Sequence, residues 1–320
     1  MKLMIQIPCY NEEATLPDVV KDLPRTLPGI DAIEVLVIDD GSTDRTVEVA
    51  RECGVHHVLR LGSNHGLAAA FLRGVERCLE LGADLIVNTD GDNQYDGRCI
   101  GGLIEPILEG RLDIVVGARP IESIGHFSWA KKKLQRWGSH VVRRFSGTDI
   151  PDTTSGFRAY SAEAAMRLHV FNQYTYTLET IIQAGHMNMR IGHVPVGVNA
   201  QTRKSRLISS IPHYITRSVG IILRSYITYR PLRTFLYLAV PVGLAGMALC
   251  VRFLMYYLQG RGGGHVQSLI LAAVLLLMAF NLVVLGILAD LIGTNRELIQ
   301  EALYTARKSA RRLREPGEGS

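Results

Sequence analysis

Cysteine is scarce in this chain and shows no pattern. Cys9, Cys53, Cys78, Cys99 and Cys250 stand apart, with no Cys-x-x-Cys pair among them. An odd, unspaced set argues against a zinc site and for reduced thiols in a cytosolic domain. The ten histidines show no ligand spacing either, and the adjacent His56 and His57 read as surface or packing residues. No Gly-x-Gly-x-x-Gly and no Walker sequence is present, so no glycine loop offers to cradle a phosphate. No internal repeat is visible. A cleavable signal peptide is not expected, because Met1-Lys2 leads directly into a strand-like run, Leu3 to Ile7, too short for a signal core.

What the chain does have is 320 residues, 47% of them hydrophobic, and that apolar content is unevenly spread. The runs Leu236–Leu258 and Leu269–Ile292 are almost wholly apolar, and each is long enough to cross a bilayer. A core helix rarely runs this long twice in succession, so two spans are expected. Basic residues crowd their flanks: Arg217, Arg224, Arg230 and Arg233 before the first, Arg307, Lys308, Arg311, Arg312 and Arg314 after the second. The intervening loop, Gln259 to Gln267, carries only Arg261. By the positive-inside rule the N-terminal domain and the C-terminal tail both face the cytoplasm of a cell membrane. The formal charge of +5 is read as attraction to anionic lipid headgroups, not to nucleic acid.

Four regions follow from this: an α/β domain over 1–206, juxtamembrane amphipathic helices over 207–233, two spans over 234–293 and a basic tail over 294–320. Residues 208–229 mix Arg217 and Arg224 with Ile, Leu and Tyr, which suits an interfacial helix, with an ordinary surface helix as the alternative. Asn281, mid-span, is expected to bond to a neighbouring helix. In the first 200 residues short apolar strands alternate with amphipathic stretches, the pattern of a mostly parallel sheet. Strands are expected near 3–8, 34–39, 57–61, 84–89 and 113–118, and helices near 12–23, 43–53, 66–81 and 98–109. Ser42 and Thr43 offer N-cap chemistry, and Glu12-Glu13 suit the positive start of the first helix.

Chemistry gathers at the expected strand ends, where ligands bind in open α/β sheets. The apolar run Leu85–Asn88 leads through Thr89 into Asp90-Gly91-Asp92. Two carboxylates this close repel unless a cation compensates, and their hard oxygens suit Mg²⁺ or Mn²⁺ shared with phosphate oxygens. Alone, such a triplet is common by chance. It is joined by Pro8-Cys9-Tyr10-Asn11-Glu12-Glu13, by Ile38-Asp39-Asp40-Gly41-Ser42-Thr43-Asp44 and by Asp152-Thr153-Thr154-Ser155-Gly156-Phe157-Arg158, all read as strand-end motifs.

In this order and spacing the four motifs resemble the inverting glycosyltransferases of family 2. With the apolar C-terminal runs, the chain looks most like the polyprenyl-phosphate glycosyltransferases, the group of dolichol-phosphate mannose synthase. The resemblance implies a GT-A, Rossmann-like fold and a nucleotide-sugar donor, a UDP- or GDP-sugar. It implies that Pro8, Tyr10, Glu12, Ile38, Asp40, Asn64, Gly66, Asp90 and Gly91 contact the donor, and that Asp90, Asp92 and Gln94 hold the metal. Arg119 matches a basic residue near the donor and acceptor phosphates. Asp152, Ser155, Gly156 and Arg158 match the lining of the sugar and acceptor pocket, as does Glu179, for which a packing role is the alternative. Asp39 is either a ligand residue or a structural carboxylate capping the Ser42 turn.

The implied acceptor is a polyprenyl (undecaprenyl, decaprenyl or dolichyl) monophosphate, and the product a lipid-linked sugar for cell-envelope glycosylation. Such a phosphate, with a second pKa of about 6, is already largely dianionic at neutral pH. It needs its charge held beside the diphosphate more than it needs a base. Candidates for that task are Arg119, Lys131, Arg136, Arg203 and Arg206, arginines before lysine because they clamp phosphate in a bidentate way. Asp92, Arg119 and Arg203 are the expected catalytic residues. The basic stretch 130–145 is either a solvated helix or an acceptor-facing one. Residues 201–206 occupy the place of an Arg-x-x-Gly-x-Ser-Lys loop in relatives, without its glycine. Relatives suggest self-association through the spans. The alternatives are a membrane polysaccharide synthase of the same family and a non-catalytic, membrane-anchored nucleotide-sugar-binding protein.

Overall fold

The computed structural model describes residues 1–120, 143, 146–168, 176–199, 220 and 227–314. Among them the chain forms one seven-stranded sheet: β1 (Lys2–Cys9), β2 (Ala32–Asp39), β3 (His57–Arg60), β4 (Leu85–Asn88), β5 (Ile114–Ala118), β6 (Arg158–Ser161) and β7 (Ile191–Pro195). Interleaved helices are α1 (Leu16–Asp22), α2 (Thr46–Glu52), α3 (Leu67–Glu80), α4 (Ile100–Leu108), α5 (Ala162–Arg167) and α6 (Thr177–His186). The strand order is β3-β2-β1-β4-β6-β5-β7. Every neighbouring pair is parallel except those of β6, which runs antiparallel to both β4 and β5.

Side chains alternate across a strand, so each strand feeds two cores. Leu3, Ile5, Ile7, Val35, Val37, Leu85, Val87 and Val115 pack with α1, α2 and α4 on one face. Met4, Leu36, Ile38, Ile86, Ile114 and Tyr160 pack with α3, α5 and α6 on the other. Burial on both faces is why these strands read as mostly apolar runs, with the buried Gln6 and Asn88 as exceptions.

All five expected strands form, and so do the four expected helices, with α1 and α2 starting later than their capping signals imply. Glu12 and Glu13 precede α1, with the Glu12 carbonyl accepting from the amides of Thr15 and Leu16. Ser42 and Thr43 do not cap α2. The Ser42 hydroxyl accepts from the Asn11 amide and the Thr43 amide donates to Asn11 Oδ1, while Asp44 receives the Thr46 amide at 3.0 Å. Tertiary partners outcompeted the local cap.

The third motif is also relocated, since residues 152–158 lead into a strand and do not end one. Because β6 is antiparallel, its beginning lies at the same sheet edge as the ends of β4 and β5, with Arg158 opposite both Asn88 and Val116. That reversal puts all four motifs on one edge.

Two further helices, α7 (Pro231–Leu258) and α8 (Val266–Arg314), are long and apolar enough to cross a membrane. They meet through small residues: a methyl group added at Gly246 would stand 3.0 Å from Leu276, and one at Gly286 2.9 Å from Phe235. Asn281 donates to the Leu277 carbonyl of its own helix at 3.0 Å, not to a neighbouring helix. Most of the amphipathic stretch 208–229, the basic stretch 130–145 and the loop 201–206 lie outside the described residues.

The chain divides into two compact units, Met1–Ile222 with Ala302–Ser320, and Leu223–Glu301. Residues 302–314, expected as part of a basic tail, are thus helical members of the first unit. Tyr304 donates to Glu163 at 2.8 Å and carries the Arg167 guanidinium 4.0 Å over its ring. Arg307 bonds the Met166 carbonyl and Glu76, and Arg311 bonds the Ala83 carbonyl and, at 2.6 Å, Asp84. Two of the cations expected at the lipid surface are therefore spent on protein carboxylates. Replacing Arg311 and Asp84 by alanine, singly and together, should reveal a coupling of about 0.5–1 kcal/mol in urea unfolding of the solubilised chain. Strictly additive effects would show that this pair does not dock the helix end.

Candidate functional site

The site is assembled from the carboxyl ends of β1, β2, β4 and β5 and the start of β6. The loops after β1 and β2 brace one another. Asn11 sits in the left-handed region (φ 56°), which asparagine tolerates, and bonds both Ser42 and Thr43. The Glu12 amide donates to Thr46 Oγ1, the Glu13 amide to Asp44, and the Arg45 amide to Glu13. Tyr10 stands 38% exposed at this edge, whereas Glu12 is buried and receives the Thr15 hydroxyl at 2.8 Å. Pro8 and Ile38 have buried side chains, and Ile38 belongs to the α3 core. Only their backbone can face a ligand.

Asp39 and Asp40 divide their work. Asp39 Oδ1 accepts the Ser42 amide at 2.9 Å, the structural capping role. Both oxygens of Asp40 accept backbone amides, from His65 at 2.8 Å and Gly66 at 2.9 Å. The carboxylate therefore ties the loop 62–66 to the end of β2, with Asn64 exposed upon it. The loop passes so close that a methyl group at Gly41 would stand 2.6 Å from the Ser63 backbone, and Gly41 also has φ +76°. Glycine is required there on both counts.

Asp90 and Asp92 lie just beyond β4, half-buried. Gly91 between them is buried against Cys9 and Glu12, and its carbonyl receives the Thr15 hydroxyl at 2.7 Å. Asp92 Oδ1 accepts the Gln94 amide at 3.2 Å. The following loop is tied down by residues after β7: the Asn199 amide donates to the Gln94 carbonyl, and Asn199 Nδ2 reaches Asn93 and the Tyr95 carbonyl.

Arg119, next after β5, is brought beside this pair. Its Nε and Nη2 grip Asp152 at 2.6 and 3.1 Å, Nη2 reaches Thr154 at 3.0 Å and Nη1 reaches Gln94 Oε1 at 3.2 Å. Burial alone would raise the Asp152 carboxyl, but the facing Arg119 outweighs it and holds the group below its ordinary range. Gln94 thus presents its side-chain oxygen to Arg119. Arg158 is wholly buried and bonds the carbonyls of Ser155 and Thr153 and the Thr180 hydroxyl. It supports the motif from within. Ser155 and Glu179 are buried too. Lys131, Arg136, Arg203 and Arg206 lie outside the described residues.

Sequence reasoning passed over the polar groups behind the carboxylates: Gln6, Asn88, Tyr95 and Tyr176, all buried. A polar Asn88 within an otherwise apolar strand was the one available signal.

Burial raises the Asp90 carboxyl from 3.8 to about 7, with Asp92 adding to the rise and Arg119 and Arg158 opposing it. Hard oxygen donors set this close together suit Mg²⁺ or Mn²⁺. Among the described residues no group of three or more His, Cys, Asp and Glu side chains could hold an ion.

Residues 4–168 match the sequence profile described as Glycosyl transferase family 2. The chain is 30% identical over 207 residues to undecaprenyl-phosphate mannosyltransferase of Micrococcus luteus, covering 61% of this chain and 83% of that protein. It is 24% identical over 310 residues to dodecaprenyl-phosphate galacturonate synthase of Rhizobium johnstonii, covering 92% of this chain and 88% of the relative. Among solved structures, glucosyl-3-phosphoglycerate synthase of Mycobacterium tuberculosis, in complex with Mn²⁺, UDP and glucosyl-3-phosphoglycerate, superposes with a TM-score of 0.56. Identity there is 19%, over 71% of this chain and 79% of that one, and the likeness establishes the GT-A type of fold.

A carboxyl whose folded pKa lies above its unfolded value makes the native state bind more protons, so its contribution to stability falls as pH rises between the two values. In metal-free, solubilised protein the Asp90 contribution to thermal stability should therefore fall from about pH 4 to about pH 7. Asp90→Asn should flatten that fall and melt higher than the wild type at pH 7.5. Parallel melting curves for the two proteins across this range would contradict the charge crowding described.

Proposed function

The chain belongs to glycosyl transferase family 2, and from that premise we propose that it moves a sugar from a nucleoside diphosphate to a polyprenyl monophosphate. The observation that carries the reading is the Asp90–Asp92 pair on the sheet edge where the donor motifs converge, in a chain that also carries two apolar helices long enough to cross a membrane. Relatives named for undecaprenyl-phosphate, dolichyl-phosphate and dodecaprenyl-phosphate products support the class of acceptor. The Mn²⁺ and UDP in glucosyl-3-phosphoglycerate synthase support the donor and the ion, with UDP- and GDP-sugars both fitting.

In this reading Tyr10 and the loops bearing Glu12, Asp40, Asn64 and Gly66 receive the nucleoside. Asp90 and Asp92 would hold Mg²⁺ or Mn²⁺, whose charge would serve to neutralise the departing diphosphate. The lipid phosphate attacks the anomeric carbon from the face opposite that diphosphate, and the configuration inverts as the carbon–oxygen bond to the leaving group breaks. No proton need be removed from a dianionic phosphate, so the residues act by position and charge. Arg119 is held ready by Asp152, Thr154 and Gln94 and faces the phosphates. Arg203, Arg206, Arg136 and Lys131 remain proposed partners of the acceptor phosphate. Ser155, Gly156, Arg158 and Glu179 shape the wall of the sugar pocket.

The membrane-facing part of the proposal is a catalytic domain on the cytoplasmic side with α7 and α8 as two spans. It is supported by the end of α8, which hydrogen-bonds within the same unit as the N-terminal strands, as two crossings would allow. Membranes carrying the protein, screened with a panel of nucleotide sugars, polyprenyl phosphate and Mn²⁺ or Mg²⁺, should form a lipid-linked sugar. Asp92→Ala should reduce that transfer by about 100- to 1,000-fold. Full activity and undiminished metal binding in Asp92→Ala would overturn the assignment.

A further inference from the structure

Gly156 is held on every polar side. Its amide donates to the Tyr95 hydroxyl at 3.0 Å, and its carbonyl accepts from Asn88 Nδ2 at 2.8 Å and from the Tyr176 hydroxyl at 3.2 Å. Asn88 Nδ2 also donates to the Tyr176 oxygen at 2.8 Å, while Asn88 Oδ1 receives Gln6 Nε2 at 2.9 Å. The rings are fixed as well: Tyr176 stacks on Phe71 with centroids 3.8 Å apart and planes 2° apart, and Tyr95 stacks on Phe157 at 5.1 Å.

The other side of Gly156 faces the metal motif. A methyl group added there would stand 2.7 Å from Asp90 Oδ1 and 2.9 Å from Oδ2. The bare glycine Cα is thus the surface against which the Asp90 carboxylate rests. We infer that Asn88, Tyr95 and Tyr176 are positioning residues that set the place of Asp90 through the backbone of Gly156. The inference rests on the reading of Asp90 and Asp92 as the divalent-cation site.

The physical reason is that Asp90 follows the end of β4 and needs a stop to fix its rotamer. A backbone segment gripped by three buried hydrogen-bonding side chains is such a stop, and buried polar networks of this kind hold one arrangement when every member is satisfied. Groups that orient ligating carboxylates typically change metal affinity when altered, without touching the ion.

The test is Mn²⁺ binding to the full-length, solubilised protein, read as loss of the free-ion electron paramagnetic resonance signal with UDP or GDP present. Tyr176→Phe keeps the ring on Phe71 and removes only the hydroxyl. It should weaken Mn²⁺ binding about 10- to 100-fold, and Gly156→Ala should do the same by displacing the carboxylate. In transfer assays both should raise the metal concentration giving half-maximal rate, with a smaller change at saturating metal. Ile104→Val, which trims a core residue of α4 outside the clamp, controls for general loss of stability and should leave Mn²⁺ affinity unchanged. Unaltered affinity in both Tyr176→Phe and Gly156→Ala, with binding abolished in Asp92→Ala, would overturn the clamp and leave the cation site standing. Unaltered affinity in Asp92→Ala, or no Mn²⁺ uptake by the wild type, would overturn the site and the clamp together.

Discussion

Two carboxylates on one strand end, partly shut away from water, are the constraint around which this edge of the sheet is organised. Asp90 is raised to about 7 because burial and Asp92 both disfavour its charge. Such crowding lowers stability until positive charge arrives from outside the pair. Among the described residues two guanidiniums lie in the neighbourhood, and each is committed to other partners. Arg119 is bound by Asp152, Thr154 and Gln94, and Arg158 by two carbonyls and Thr180.

The reversal of β6 makes this arrangement possible. In an all-parallel sheet the segment before a strand would lie at the opposite edge from the loops that follow β1, β2 and β4. Running β6 antiparallel between β4 and β5 turns residues 152–158 onto the same edge and sets Gly156 against Asp90. The charge balance, the fixing of Arg119 and the seat of Asp90 all depend on that one strand direction.

Much of the site was legible because its residues sit where apolar runs end. The runs before Asp39, Asp90 and Arg119 were visible as strands, since burial on both faces leaves them mostly apolar, with Asn88 the exception before Asp90. The roles of individual carboxylates were less legible. Asp40 looked like a ligand residue, yet both its oxygens accept loop amides, and Ile38, expected at the donor, is a core side chain. Ser42 and Thr43 carried a capping signal that Asn11 captured from another loop. Tyr95 and Tyr176 gave no signal, because a buried tyrosine that grips a distant backbone looks in sequence like any aromatic core residue.

The amino-acid sequence by itself determined the alternating α/β order, the five strands whose runs are mostly apolar, the two long apolar segments and the chemistry at the strand ends. These are local properties, written in the spacing of side chains along the chain. Only the tertiary structure decided the direction of β6, the pairing of Arg119 with Asp152, the grip on Gly156 and the docking of residues 302–314 against Glu76, Asp84 and Glu163. Each joins residues dozens to hundreds of positions apart, so its energy depends on contacts that exist only once the chain has closed on itself.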